Sequence, residues 1–119
     1  MLANTQADTH LPVDSGPLVQ VFLSAQQLGL TAPGTSPLIA SGGYPRIAVG
    51  ATSSTAGSIS VQRYLDAAGT IPQGPALTQS LSAATAGVLN VNDGAPFLSF
   101  KVTISGGTLS NVGALLQSR

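Results

Sequence analysis

The chain has no cysteine, no tryptophan, no glutamate, and a single histidine, His10. Without cysteine there is no disulfide, no thiol nucleophile, no thiolate metal site and no iron–sulfur cluster. One histidine leaves no multi-histidine metal cage and little scope for imidazole acid–base chemistry. Charge is equally scarce, with 7% of residues ionised against roughly 25% in an ordinary soluble domain. Four cations (Arg46, Arg63, Lys101, Arg119) balance four aspartates (Asp8, Asp14, Asp66, Asp93), and the net charge is zero. Binding to DNA or RNA without sequence preference needs several cations gathered on one face, so four scattered ones argue against nucleic acid as a partner. No run of about 18 or more apolar residues exists to cross a bilayer. Residues 1–16 lack the basic start and long apolar stretch of a signal peptide.

What is present is small and hydroxyl-rich. Ala, Gly, Ser and Thr make up nearly half of the 119 residues, a length that suits one domain. Hydrophobic residues reach 43%, too many for a chain kept unfolded by low hydrophobicity and high charge. Among the strong helix formers only Ala, Leu and to a lesser extent Gln are common, while 14 Gly and 8 Pro supply turns throughout. Short strands with frequent turn signals predict an all-β fold, a small antiparallel β-sandwich of six or seven strands. Such a composition suits a small Ser/Thr-coated β-domain that is soluble by itself. Zero net charge favours association, however, and a surface that lies largely against partners is the better reading.

Residues 1–16 are polar and aperiodic, and read as an extended N-terminal arm ahead of a single domain at 17–119. Leu11 and Val13 alternate with Pro12 and Asp14, which suits strand addition to a neighbouring edge and equally suits a frayed terminus. Residues 17–30 carry two patterns. Leu18, Val21, Phe22, Ala25 and Leu28 share a helical face with Gly29 placed to end it, but Val19 to Leu23 is dense in strand formers. A strand over 18–23 with an irregular continuation is the better reading. Residues 31–45 hold three prolines and read as a loop or a broken edge.

The rest alternates more clearly. Residues 46–52 form a short strand with Ile47 and Val49 on one face. In residues 57–65, Ile59, Val61, Arg63 and Leu65 face one way and Ser60, Gln62 and Tyr64 the other. Residues 66–70 turn the chain, 71–81 resume an extended course broken at Pro72 and Pro75, and 87–91 form another strand ended by Asn92-Asp93-Gly94. Residues 97–105 form the best strand, with Leu98, Phe100, Val102 and Ile104 on its inner side. Gly106-Gly107 predicts a tight hairpin into 108–117, where Leu109, Val112, Leu115 and Leu116 close the sheet.

Catalytic chemistry finds little support. There is no G-x-S-x-G elbow for a serine hydrolase, and His10 sits in the arm, away from any scaffold that would hold it as a base. Paired carboxylates for glycoside hydrolysis reduce to Asp66 and Asp93, both at turns where Asp commonly caps backbone N–H groups. Asn90, Asn92 and Asp93 miss the spacing of a calcium loop, and no phosphate-binding glycine motif occurs. No catalytic, cofactor-binding or metal-binding residue is assigned, and no enzyme activity or cofactor is expected. Phe22, Phe97 and Phe100 read as core. Tyr64, beside Arg63, reads either as a surface anchor or as a half-buried strand residue.

The run of residues 57–70 (GSISVQRYLDAAGT), residues 89–97 (LNVNDGAPF), the strand that follows to Ile104 and the ending at 114–119 (ALLQSR) together resemble a small β-sandwich module of tailed-bacteriophage structural proteins. The resemblance covers residues 46–119 and extends to head decoration (cement) and fibre proteins. It implies a non-enzymatic virion structural protein on the capsid surface. Such a protein would be homo-oligomeric, with a trimer favoured, and would bind the major capsid protein or other virion proteins to stabilise the shell. A fibre or tail component that binds a receptor or carbohydrate is the alternative. Neither nucleic acid nor membrane is among the partners expected.

Overall fold

The computed structural model describes residues 18–118, so the arm expected at 1–16 lies outside the described residues. In chain order these residues form β1 (Gln20–Ser24), α1 (Ala25–Leu28), β2 (Gly34–Thr35), β3 (Ile39–Ala40), β4 (Arg46–Ser53), β5 (Gly57–Tyr64), β6 (Leu77–Leu81), β7 (Gly87–Val91), β8 (Ser99–Ser105) and β9 (Leu109–Gln117). The fold is all-β, as the composition predicts. One antiparallel sheet has the order β1-β9-β4-β7, and the other has the order β2-β8-β5-β6 with β3 also on β8. There are more strands than the six or seven expected because 31–45 is indeed a broken edge. Its two short strands pair with successive parts of β8, separated by Pro37, which has no N–H to give to a ladder.

The core lies between the sheets and follows the two-residue period of the strands. Ile47, Val49 and Ala51 of β4, Ile59 and Val61 of β5, and Phe100, Val102 and Ile104 of β8 all point inward and are buried. In β9 the alternation survives a defect. The pairing with β4 shifts between Gly50 and Thr52, where Asn111 adopts φ 53°, the left-handed conformation that Asn tolerates at a bulge. Val112, Ala114 and Leu116 then face the core, and Leu115, grouped with them by sequence, turns outward.

Consecutive strands mostly do not pair with each other. β4 and β5, β6 and β7, and β8 and β9 lie in opposite sheets, as do β1 and β2. Because every pairing is antiparallel, these four crossings fall at the same end of the sandwich. Gly106-Gly107 is therefore a crossing between sheets and not the tight hairpin its sequence suggests. Glycine is needed there for close approach. Gly107 N–H donates to Ser53 Oγ at 2.9 Å and Thr108 N–H to Ser54 Oγ at 2.8 Å, which locks the β8–β9 crossing onto the β4–β5 crossing. A β-carbon on Gly57 would sit 2.0 Å from the Ser105 carbonyl oxygen, and one on Gly106 2.2 Å from Ser53 Oγ.

Four other sequence readings are corrected. The strand read at 18–23 runs over Gln20–Ser24, and its continuation is a turn of helix. Ser24 Oγ accepts the Gln27 N–H at 3.3 Å while Gln27 Oε1 accepts the Ser24 N–H at 2.8 Å, and Gly29 closes the turn at φ 69°. Leu98 is exposed, not inward, and Phe97 is buried in its place: β8 starts only at Ser99, after the chain has crossed from β7. Leu65, expected on the inner side, is exposed because β5 ends one residue before it. Of residues 71–81 only Leu77–Leu81 is strand, since Pro72 and Pro75 interrupt the preceding stretch.

Candidate functional site

The two carboxylates singled out by sequence are held by separate structural partners. Asp66 follows β5 and ties its own loop together. Its carboxylate accepts the N–H groups of Thr70 at 2.9 Å and Ile71 at 3.0 Å, and also the Thr70 hydroxyl. The Thr70 hydroxyl and then the Ile71 N–H pull its pKa below the usual value. Asp93 instead reaches back to β5. Arg63 Nη1 and Nη2 donate to Asp93 Oδ1 and Oδ2 at 2.7 and 2.8 Å, a bidentate pair. This hydrogen bonding, followed by the Ala95 N–H, lowers the Asp93 pKa to about 2.

Arg63 is on the inner side of β5, as its alternation predicts, with 5% of its side chain exposed. Its guanidinium lies 5.6 Å from the Phe97 ring centre, and Phe97 meets Phe100 edge-on at 6.1 Å. The arginine is thus the polar plug at one end of the core, and Asp93 neutralises it. Of the two readings of Tyr64, surface anchor or half-buried strand residue, the structure gives the second: Tyr64 is half-buried. His10 lies outside the described residues. Among the described residues no three His, Cys, Asp or Glu side chains converge, and no helix is long and apolar enough to cross a membrane.

The two outer faces differ in chemistry. On the β2-β8-β5-β6 sheet, neighbouring strands align hydroxyls that bond to one another: Thr35 to Thr103 at 2.9 Å, Ser58 to Ser105 at 2.9 Å and Ser60 to Thr78 at 3.0 Å. That face is polar and uncharged apart from Lys101. On the β1-β9-β4-β7 sheet, cross-strand rows place Phe22, Leu115, Ala48 and Asn90 side by side, and next to them Ser24, Gly113, Gly50 and Val88. Large apolar side chains on the edge strands, Phe22 on β1 and Val88 on β7, flank small residues on the central ones. The result is a groove of about 340 Å³ floored by Ala48, Gly50 and Gly113, with Leu115 at one side. A smaller hollow continues from it past Ala48 and Leu115 to Arg46, Asn90, Asn92 and Gln117.

Sequence reasoning placed Phe22 in the core, yet 63% of it is exposed. The signal was the two-residue period: Phe22 shares its face with Gln20, and Val88 with Asn90. Hydrophobicity alone does not separate the two faces, since Val21 and Leu23 point the other way. Comparison with protein-family models, curated proteins and solved structures found no match for the chain.

Proposed function

We propose that this protein is a virion structural component of the decoration type, which binds and stabilises a capsid shell through protein–protein contacts. The observation that carries the reading is the apolar groove on the outer face of the β1-β9-β4-β7 sheet. Phe22, Val88 and Leu115 there face outward, and a contiguous exposed apolar surface on a soluble domain commonly marks an interaction site. The contrast with the hydroxyl-coated opposite face supports a reading in which one side makes the contact and the other faces solvent. Its lack of charge suits a surface that becomes buried, because few ions would need to be stripped of water. The resemblance of residues 46–119 to phage structural modules points to the same partner class, the major capsid protein or its neighbours in the virion.

The test is co-sedimentation of the full chain with undecorated capsids of the phage encoding it, alongside light scattering of the protein alone. Binding that falls at least tenfold in Phe22→Ser or Val88→Ser, with folding retained by circular dichroism, supports the reading. No capsid affinity overturns it. Specific signals on a glycan array would then move the assignment to a receptor-binding fibre module.

A further inference from the structure

The β1 strand is an edge of its sheet, and its outer margin has an unusual combination of properties. The Ser118 N–H donates to the Val19 carbonyl at 3.0 Å, which fixes which residues of β1 turn their backbone toward β9. In the antiparallel register of Gln20 with Gln117, these are Val19, Val21 and Leu23. The N–H and C=O groups of Gln20 and Phe22 therefore point away from the sheet. They have no partner among the described residues. Toward the C-terminal side the next outward group, the Ser24 N–H, is taken by Gln27 Oε1, which closes the open edge at that end.

Its side chains lack the usual protection. Natural edges are blunted by lysine, by inward charges, by proline or by a covering element. Here Leu18, Val19, Val21 and Phe22 are all exposed, half of the large exposed hydrophobic side chains among the described residues. No charged residue occurs anywhere between Asp14 and Arg46. An added strand would meet no ion to repel or strand, and a second copy of this same edge brings none either.

We propose that β1 pairs with β1 of a second copy across a two-fold axis at Val21. Antiparallel pairing of Gln20 with Phe22 of the second copy, and of Phe22 with its Gln20, satisfies all four outward backbone groups on each strand at once. Val21 then faces its own counterpart as a non-hydrogen-bonded pair, with α-carbons about 4.5 Å apart. The contact is isologous, the same surface on both copies. It joins two four-stranded sheets into one of eight and brings the two Phe22 side chains onto the same face as diagonal neighbours about 7–8 Å apart. The two apolar grooves then lie on one side of the dimer. The pairing stands independently of the capsid reading and replaces the threefold assembly implied by the phage resemblance with a two-fold one. One short strand per copy buries less than the roughly 1,200 Å² of a standard interface, so the dimer is weak and concentration-dependent.

The cysteine-free sequence makes a direct test clean. A disulfide needs α-carbons about 4.4–6.8 Å apart, a separation that this register provides only for position 21 paired with itself. Val21→Cys in the full chain is expected to form a covalent dimer under mild oxidation, at least tenfold faster than Val19→Cys or Phe22→Cys. Phe22→Lys is expected to shift the wild-type mass toward monomer in light scattering at about 100 μM, with an unchanged far-ultraviolet spectrum. A wild-type monomer at that concentration, faster cross-linking through Phe22→Cys than Val21→Cys, or an oligomer that Phe22→Lys leaves intact would overturn the proposal. A full chain that stays monomeric while one lacking residues 1–16 dimerises would also overturn it, because the chain's own terminus would then cover the edge.

Discussion

The Phe22 ring lies against Gly113 on the neighbouring strand, so close that a β-carbon at 113 would come within 2.5 Å of Phe22 Cζ. Glycine on a central strand lets an aromatic side chain on the edge strand lie down over the sheet, and so shapes the groove. Gly113→Ala is expected to lift the ring rather than break the sheet, because the atom it meets is the far end of an exposed side chain. The expected stability loss is below about 1 kcal/mol, with a clear change in the Phe22 ring resonances. Unfolding in urea and a side-chain nuclear magnetic resonance spectrum would check both parts.

Gly57 makes the opposite case. A β-carbon there meets the backbone carbonyl of Ser105 at 2.0 Å, and a backbone atom cannot rotate away. Gly57→Ala is expected to cost about 3 kcal/mol, at the upper end of overpacking, and to lower the urea midpoint accordingly. A cost below about 1 kcal/mol would mean that the two sheet crossings are not locked together as described.

Ser53 is fully buried at the same end, and its Oγ accepts the N–H of Gly107 at 2.9 Å and of Thr55 at 3.3 Å. Ser53→Ala leaves both donors without that acceptor, so a loss of about 1–3 kcal/mol is expected. Faster amide exchange at Gly107 than in the wild type would locate the effect at the crossing.

The Arg63–Asp93 pair sets an acid dependence of stability. The folded pKa of Asp93 is lowered from 3.8 to about 2, so its contribution is fully present above pH 3.8 and is lost as pH falls through about 2. Asp93 is 51% exposed, and solvent screening reduces the expected loss to about 1–2 kcal/mol. Asp93→Asn is expected to be less stable at pH 7 and to flatten the acid limb between pH 4 and 2. Asp66, also shifted down, leaves a residual slope there. Chemical denaturation across this range is the measurement.

Much of the local structure was readable from residue order. The alternation put Arg63 on the same side as Ile59 and Val61, and the structure buries that side, with the Asp93 carboxylate at the head of the arginine. The strands at 46–52, 57–65 and 87–91 lie within one residue of their expected limits, because a two-residue hydrophobic period is a local property. Phe22 and Leu98 were assigned to the core and are exposed, for a different reason. Each stands where a strand begins or lies at an edge, and there hydrophobicity does not say which side is covered.

The sequence by itself determined that the chain would be all-β, where its main strands lie, and that it would carry almost no charge, since these depend on composition and on neighbours along the chain. Only the tertiary structure decided that 106–107 crosses between sheets instead of turning a hairpin. It likewise decided that Leu115 and Phe22 face outward and that β1 is left at an edge. A glycine pair accommodates a hairpin and a crossing equally well. The choice between them is made by which strands close the core, and that contact joins residues some fifty positions apart, as Gly107 and Ser53 are.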